Sequence, residues 1–409
     1  MTGYISLLRL QPKCSVSFTP SNTTILTLSS RDIMFKSVAL VAFATAVAAR
    51  KCHDLTIPIS ISARNAVFDL PALVSELDVT NFFLDFVRPG VNTTDKYLKG
   101  YKTVSGHYNI AATYCQPDHG PGETLQILTH GVGFDRSYWD YPYDHYNYSY
   151  VAEAVDEHGF STFTWDRLGV GASSKGDPIN EIQQFLEVAA LTELSTLLRK
   201  GSVKGINAKF CKFVHAGHSF GSAITYNFVN ANPTFSDAAI LTGFSQNPNF
   251  LAGFALGGNF KPVKEVPSQA AKYPTGYITV PSTTSVNIQF FAPHDFDPKL
   301  LTYATANGQP AAPGEILTIG AGTGVANAFK GHLLIVTGNE DVPFCGGNCS
   351  DTTTIQGTFP DLISFSKPFF PHASSFKASV IPGGGHGLNL GYSHKLAYNA
   401  IFDFLKSSL

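Results

Sequence analysis

The sequence predicts an α/β protein: a mostly parallel, doubly wound sheet with helices on both faces. Two observations predict it. Short strand-like runs alternate with helix-like stretches from about Tyr97 onward, and that alternation implies parallel strands joined by helical crossovers. Within the alternation, Gly217-His218-Ser219-Phe220-Gly221 follows the apolar run Phe213–Ala216 and precedes a helix-like stretch from Ser222. A sharp strand-to-helix turn carrying a serine is a feature of such sheets.

The elements follow in order. Tyr101–Cys115 alternates in polarity and reads as a hairpin broken at Gly106. Leu125–Thr129 is a short strand ending at His130-Gly131, and Tyr150–Val155 a helix stopped by Gly159. Phe160–Trp165 is the next strand, and Glu181–Leu198 a helix with apolar residues near 3.6 spacing. Ala238–Leu241, Leu333–Val336 and Phe376–Ile381 complete the strands, and an amphipathic helix spans Ser393–Leu405. The stretch from Phe244 to Leu333 is too long for an ordinary crossover. It is rich in aromatic residues, and reads as a cap (245–325) inserted into a core of 96–244 and 326–409, over the carboxyl ends of the strands. Most of its aromatics should form the cap's own core, and a minority should face a ligand. Residues 50–95 match no part of this core and suggest no function.

Composition narrows the function. Lys and Arg total 28 against 30 Asp and Glu, a net charge of −2, with no basic stripe for nucleic acid. Charged residues are only 14% of the chain. Met34-Phe35-Lys36 opens an apolar run from Val38 to Ala49 that ends in small residues before Arg50-Lys51. That is the pattern of a secretory signal peptide (34–49), and the run is too short to span a bilayer. Met1 and Met34 are the two methionines, so translation is expected to start at Met34, with 1–33 a non-native or disordered extension. No membrane span is expected in the mature chain. Secretion agrees with sequons at Asn92, Asn147 and Asn348. Of five cysteines beyond the signal, Cys345 and Cys349 can close a glycine-containing ring, Cys52 and Cys115 are a weaker pair, and Cys211 reads as a buried free thiol.

The chemistry rests on three residues. A serine hydroxyl needs a base to take its proton and an acid to orient that base. Val336-Thr337-Gly338-Asn339-Glu340-Asp341 ends one later strand with carboxylates, and Ile381-Pro382-Gly383-Gly384-Gly385-His386 ends the last with a histidine. Ser219 is thus the candidate nucleophile, His386 the base and Asp341 the acid, with Glu340 the alternative acid. The backbone N–H of Phe220 and that of Val132, in the loop after His130-Gly131, are the expected oxyanion donors. His130 itself reads as structural. No motif calls for a metal or cofactor.

Together, His130-Gly131 with Trp139, Asp166-Arg167-Leu168-Gly169-Val170-Gly171 with Ser173, Gly217–Gly221, Gly338–Asp341 and Gly385-His386 resemble the α/β-hydrolase superfamily, in particular its secreted fungal esterase and lipase-like members. The resemblance covers roughly Leu125 to the C-terminus, cap excepted, and implies that the Asp166–Ser173 segment is a structural turn. It also implies a serine hydrolase acting on a small-molecule carboxylic ester, without cofactor, through an acyl-enzyme. The uncharged aromatic cap favours apolar or secondary-metabolite-like substrates. A proline-type peptidase on the same triad is the alternative, with Asp295 and Asp297 as thin support for an amine site. A non-catalytic binding protein on the same scaffold is another, against which the complete residue set argues.

Overall fold

The computed structural model describes residues 50–247 and 250–409. The readings of 1–33 as an extension and 34–49 as a signal peptide lie outside the described residues. Among the described residues ten strands occur: β1 (Lys51–Phe68), β2 (Leu98–Gln116), β3 (Thr124–Thr129), β4 (Ser161–Trp165), β5 (Lys212–His218), β6 (Ala238–Thr242), the two-residue β7 (Lys261–Pro262) and β8 (Ile278–Thr279), β9 (His332–Gly338) and β10 (Ser375–Ile381). Eight form one sheet in the order β1-β2-β4-β3-β5-β6-β9-β10. From β4 to β10 every neighbouring pair is parallel, while β1 and β2 run antiparallel at one side.

Strand geometry sends successive side chains to opposite faces, and the apolar strands supply both. Leu125, Ile127, Phe213, Leu333 and Ile335 join one buried cluster with Leu191, Leu194 and Ile224 of the helices Gln184–Lys200 and Phe220–Ala231. Leu128, Val214, Leu334 and Val336 join the other, against Tyr398, Ile401 and Leu405 of the helix His394–Ser408. Each such burial stabilises by roughly 2 kcal/mol, so two-sided packing, more than strand propensity, holds the sheet. Between β6 and β9 the chain forms the helices Leu251–Gly257, Thr283–Phe290, Pro298–Ala306 and Pro313–Thr318 with the small β7–β8 ladder. Among the described residues no helix is long and apolar enough to cross a membrane.

The structure makes three corrections. Tyr101–Cys115 is not a hairpin: it is one continuous strand, and Gly106 sits mid-strand opposite Ile61. A Cβ at Gly106 would come within 2.7 Å of the Tyr108 hydroxyl oxygen, so the glycine makes room for that ring and turns nothing. Residues 50–95 do have a place in the core: β1 is the edge strand, burying alternate residues Ile57, Ile59 and Ile61. Its Pro58 is exposed, as suits an edge. Cys211 is not a free thiol but disulfide-bonded. Cys52 and Cys115 face each other across β1 and β2 and are bridged, as are Cys345 and Cys349.

Candidate active site

β5 ends at His218 and the helix begins at Phe220, leaving Ser219 to turn the chain alone. It does so at φ 55°, ψ −118°, a backbone conformation that costs on the order of 1–3 kcal/mol outside glycine. A side chain at Gly217 would strike the Gly221 carbonyl, and one at Gly221 the Thr129 carbonyl. Both flanking glycines are therefore required by backbone approach. The turn is tied by Ser219 N–H donating to Thr242 O at 2.9 Å and by Ser222 Oγ, 2.8 Å from Gly217 O.

Asp341 follows β9 by one tight turn and caps the short helix Val342–Cys345, its Oδ1 accepting the Phe344 N–H at 2.8 Å. His386 lies in the glycine-rich loop after β10. Its Nδ1 is 2.6 Å from Asp341 Oδ2 and its Nε2 2.8 Å from Ser219 Oγ. A carboxylate accepting from Nδ1–H leaves the Nε2 lone pair aimed at the serine hydroxyl. Asp341 is 0% exposed, His386 1% and Ser219 9%, so only the serine end of the chain meets the cavity. Glu340 is half-buried and adjacent, but both ring nitrogens of His386 are already engaged by Asp341 and Ser219. Three phenylalanine rings surround the imidazole: Phe290 stacked at 6.0 Å, Phe254 and Phe344 each at 5.8 Å.

His218 packs beside this chain, its ring 5.0 Å from that of His386 and stacked on Tyr138 at 4.3 Å. Burial first, then the neighbouring His386 and His130 rings, hold it well below the ordinary imidazole range. It stays neutral and does not compete for the proton. Phe220 is the first residue of its helix, so its N–H has no intrahelical acceptor. Val132 lies with Ser219 on the wall of one cavity, and a side chain at Gly131 would come within 2.9 Å of Ser219 Cβ.

Among the described residues Ser219 is the one polar side chain on the wall of that cavity. The segment between β6 and β9 contributes Leu251, Phe254 and Ala255, then Phe260, Ile316 and Ile319. Pro343 and Phe344, next to Asp341, form another side. The sequence reading missed Phe83 and Phe86, which come from the N-terminal helix Glu76–Phe86. Phe83 stacks on Phe260 at 4.6 Å. The signal for this helix was present: Ser75 and Asp78 form a capping box ahead of Val79, Phe82 and Phe83, its buried face.

The sequon asparagines Asn92, Asn147 and Asn348 are all exposed. The Cys345–Cys349 bridge closes the loop that follows Asp341, where Gly347 N–H donates to the Asp341 carbonyl at 2.9 Å and Cys349 N–H to Asn339 O at 2.8 Å.

Residues 126–397 match the model of the alpha/beta hydrolase family. Comparison with curated proteins finds no match. Among solved structures, a thermophilic esterase from Thermogutta terrifontis is 16% identical, with 74% of this chain and 95% of that one covered and a TM-score of 0.50. A bromoperoxidase from Bacillus anthracis (19% identical, 74% and 96% covered, TM-score 0.46) and an enol-lactonase from Burkholderia xenovorans (12%, 73% and 97%, TM-score 0.47) are also similar. The esterase likeness supports the fold alone. With most of its length under the family model and the sheet order described above, the chain belongs to the alpha/beta hydrolase family.

Proposed function

We propose that the protein is a secreted serine hydrolase that cleaves carboxylic esters bearing an apolar acyl or alcohol group. One observation carries the reading: Ser219, His386 and Asp341 form a hydrogen-bonded chain whose serine end opens into an apolar cavity. Ser219 Oγ attacks the ester carbonyl carbon as His386 Nε2 takes its proton, and Asp341 steadies the imidazolium so formed. The carbonyl oxygen becomes an oxyanion, met by the N–H groups of Phe220 and Val132. Collapse breaks the C–O bond of the ester, the alkoxide takes the proton from His386, and an acyl-Ser219 remains. Water, deprotonated by His386, then releases the acid and restores the serine.

The segment 245–325 acts in this reading as a cap whose Phe254, Phe260 and Ile316 contact the apolar group. Its Asp295 and Asp297 do not favour an amine-bearing substrate. Asp295 accepts from Ser393 N–H and Oγ at 2.9 and 2.6 Å, and Asp297 from Tyr143 at 2.6 Å. Neither lines the cavity, so the peptidase alternative loses its amine site. Exposed sequons and disulfides are the support for secretion and glycosylation.

The test is labelling of purified protein with a fluorophosphonate, followed by a p-nitrophenyl ester panel of graded acyl length. The expected result is stoichiometric labelling, ester turnover, and loss of both in Ser219→Ala. Labelling that persists in Ser219→Ala overturns the assignment.

A further inference from the structure

Arg167 follows β4 and is wholly buried, in a segment whose resemblance implied only a structural turn. Its backbone N–H donates to His130 Nε2 at 3.1 Å. The His130 proton is therefore on Nδ1, which donates to the Gly131 carbonyl oxygen at 2.9 Å. The Arg167 side chain reaches the same oxygen, with Nη2 donating at 3.3 Å. Its Nη1 donates to Glu187 Oε1 at 2.8 Å and also to Glu315, and its Cζ lies 4.8 Å from the Phe220 ring centroid. Glu187 belongs to the helix Gln184–Lys200, and Glu315 to Pro313–Thr318, whose Ile316 lines the cavity.

Both carboxyl groups are buried, and burial pushes that of Glu187 well above the usual carboxylate range. A buried ion cluster stabilises a fold no better than apolar residues of similar volume. Directed donors to a chosen carbonyl are what apolar residues cannot supply.

A peptide unit is planar and trans, so the Gly131 C=O and the Val132 N–H point in opposite directions. Two donors on the Gly131 oxygen therefore fix the direction of the Val132 N–H. We propose that Arg167, anchored by Glu187 and Glu315, is a positioning residue for the oxyanion site: by holding the Gly131 carbonyl it aims the Val132 N–H at the substrate carbonyl oxygen. The inference rests on Ser219 being the nucleophile, and adds the means by which the second oxyanion donor is held.

The experiment compares wild-type protein with Arg167→Lys, which keeps the charge but loses the fork, and with the charge-neutral variant Arg167→Met/Glu187→Gln/Glu315→Gln, which leaves no unpaired buried ion. Measured are kcat and KM on a p-nitrophenyl ester and the Ki of a trifluoromethyl ketone, which adds to serine as a tetrahedral oxyanion. Weakening one oxyanion donor should lower kcat about 10- to 100-fold. The ketone Ki should rise by the same factor, with KM held within about threefold. A folded variant with wild-type kcat and Ki contradicts the inference, and so does a fall in kcat that the ketone affinity does not follow. Wild-type protein that neither binds the ketone nor turns over ester contradicts the parent reading instead, and this one with it.

Discussion

At the scale of single residues the account turns on which carboxylate orients His386. Asp341→Asn would keep the shape but donate rather than accept toward Nδ1, leaving the wrong tautomer facing Ser219. The expected loss in kcat is about 10⁴-fold, the size seen when a serine-protease triad acid is changed in the same way. Glu340→Gln should stay within a few-fold of wild type; steady-state kinetics on both variants separates the neighbours. The candidate triad Ser219, His386 and Asp341 was legible because each lies just past a strand and is announced by nearby glycines. Gly217 and Gly221 have close-packed backbone where a side chain would sit, so the pattern is a steric necessity that local sequence displays. Arg167 was not legible in the same way. Its partners His130, Glu187 and Glu315 come from three separate segments, and no spacing rule connects them.

At the scale of elements, two pieces shape the cavity and each gives a measurable outcome. The helix Glu76–Phe86 packs Phe83 against Phe260 over Ser219's cavity. Phe83→Ala should cost about 3 kcal/mol in stability, read by denaturant unfolding. It should also shift the acyl-length optimum of the ester panel upward, because the wall it removes faces the apolar group. The two described bridges differ by position. Cys52–Cys115 spans 63 residues in sequence and Cys345–Cys349 spans 4, so loop closure predicts about 4 kcal/mol for the first and about 2 kcal/mol for the second. The short ring, however, holds Asp341 through Gly347 N–H. Cys52→Ala/Cys115→Ala should therefore mainly lower the melting temperature, and Cys345→Ala/Cys349→Ala mainly kcat. The helix went unread despite its capping box because its buried face meets Phe260, far along the chain, and local sequence does not name that partner.

At the scale of the whole molecule, the parallel sheet was legible and the antiparallel edge was not. Parallel strands here are short apolar runs separated by helices, which periodicity finds. β1 and β2 are joined through two helices, and Gly106 mimicked a turn while making room for Tyr108. The same burial that builds this core sets its response to acid. His215 is wholly buried between Ser195 and Ser236, and burial pushes it down to about 3. Its folded value lies below the unfolded one, so its contribution is complete above about pH 6.5 and is lost as pH falls toward 3. Between pH 6 and 4, His215→Gln should flatten the dependence of unfolding free energy on pH by about 1.4 kcal/mol per unit; an unchanged slope refutes that role. The central claim, that Ser219 carries the acyl group, is tested most directly by acid-quenching the enzyme during turnover of a p-nitrophenyl ester and mapping its peptides by mass spectrometry. The account predicts one acyl adduct, on Ser219, that is absent from Ser219→Ala; an adduct on any other residue, or turnover with no adduct in a variant slowed at deacylation, would contradict it.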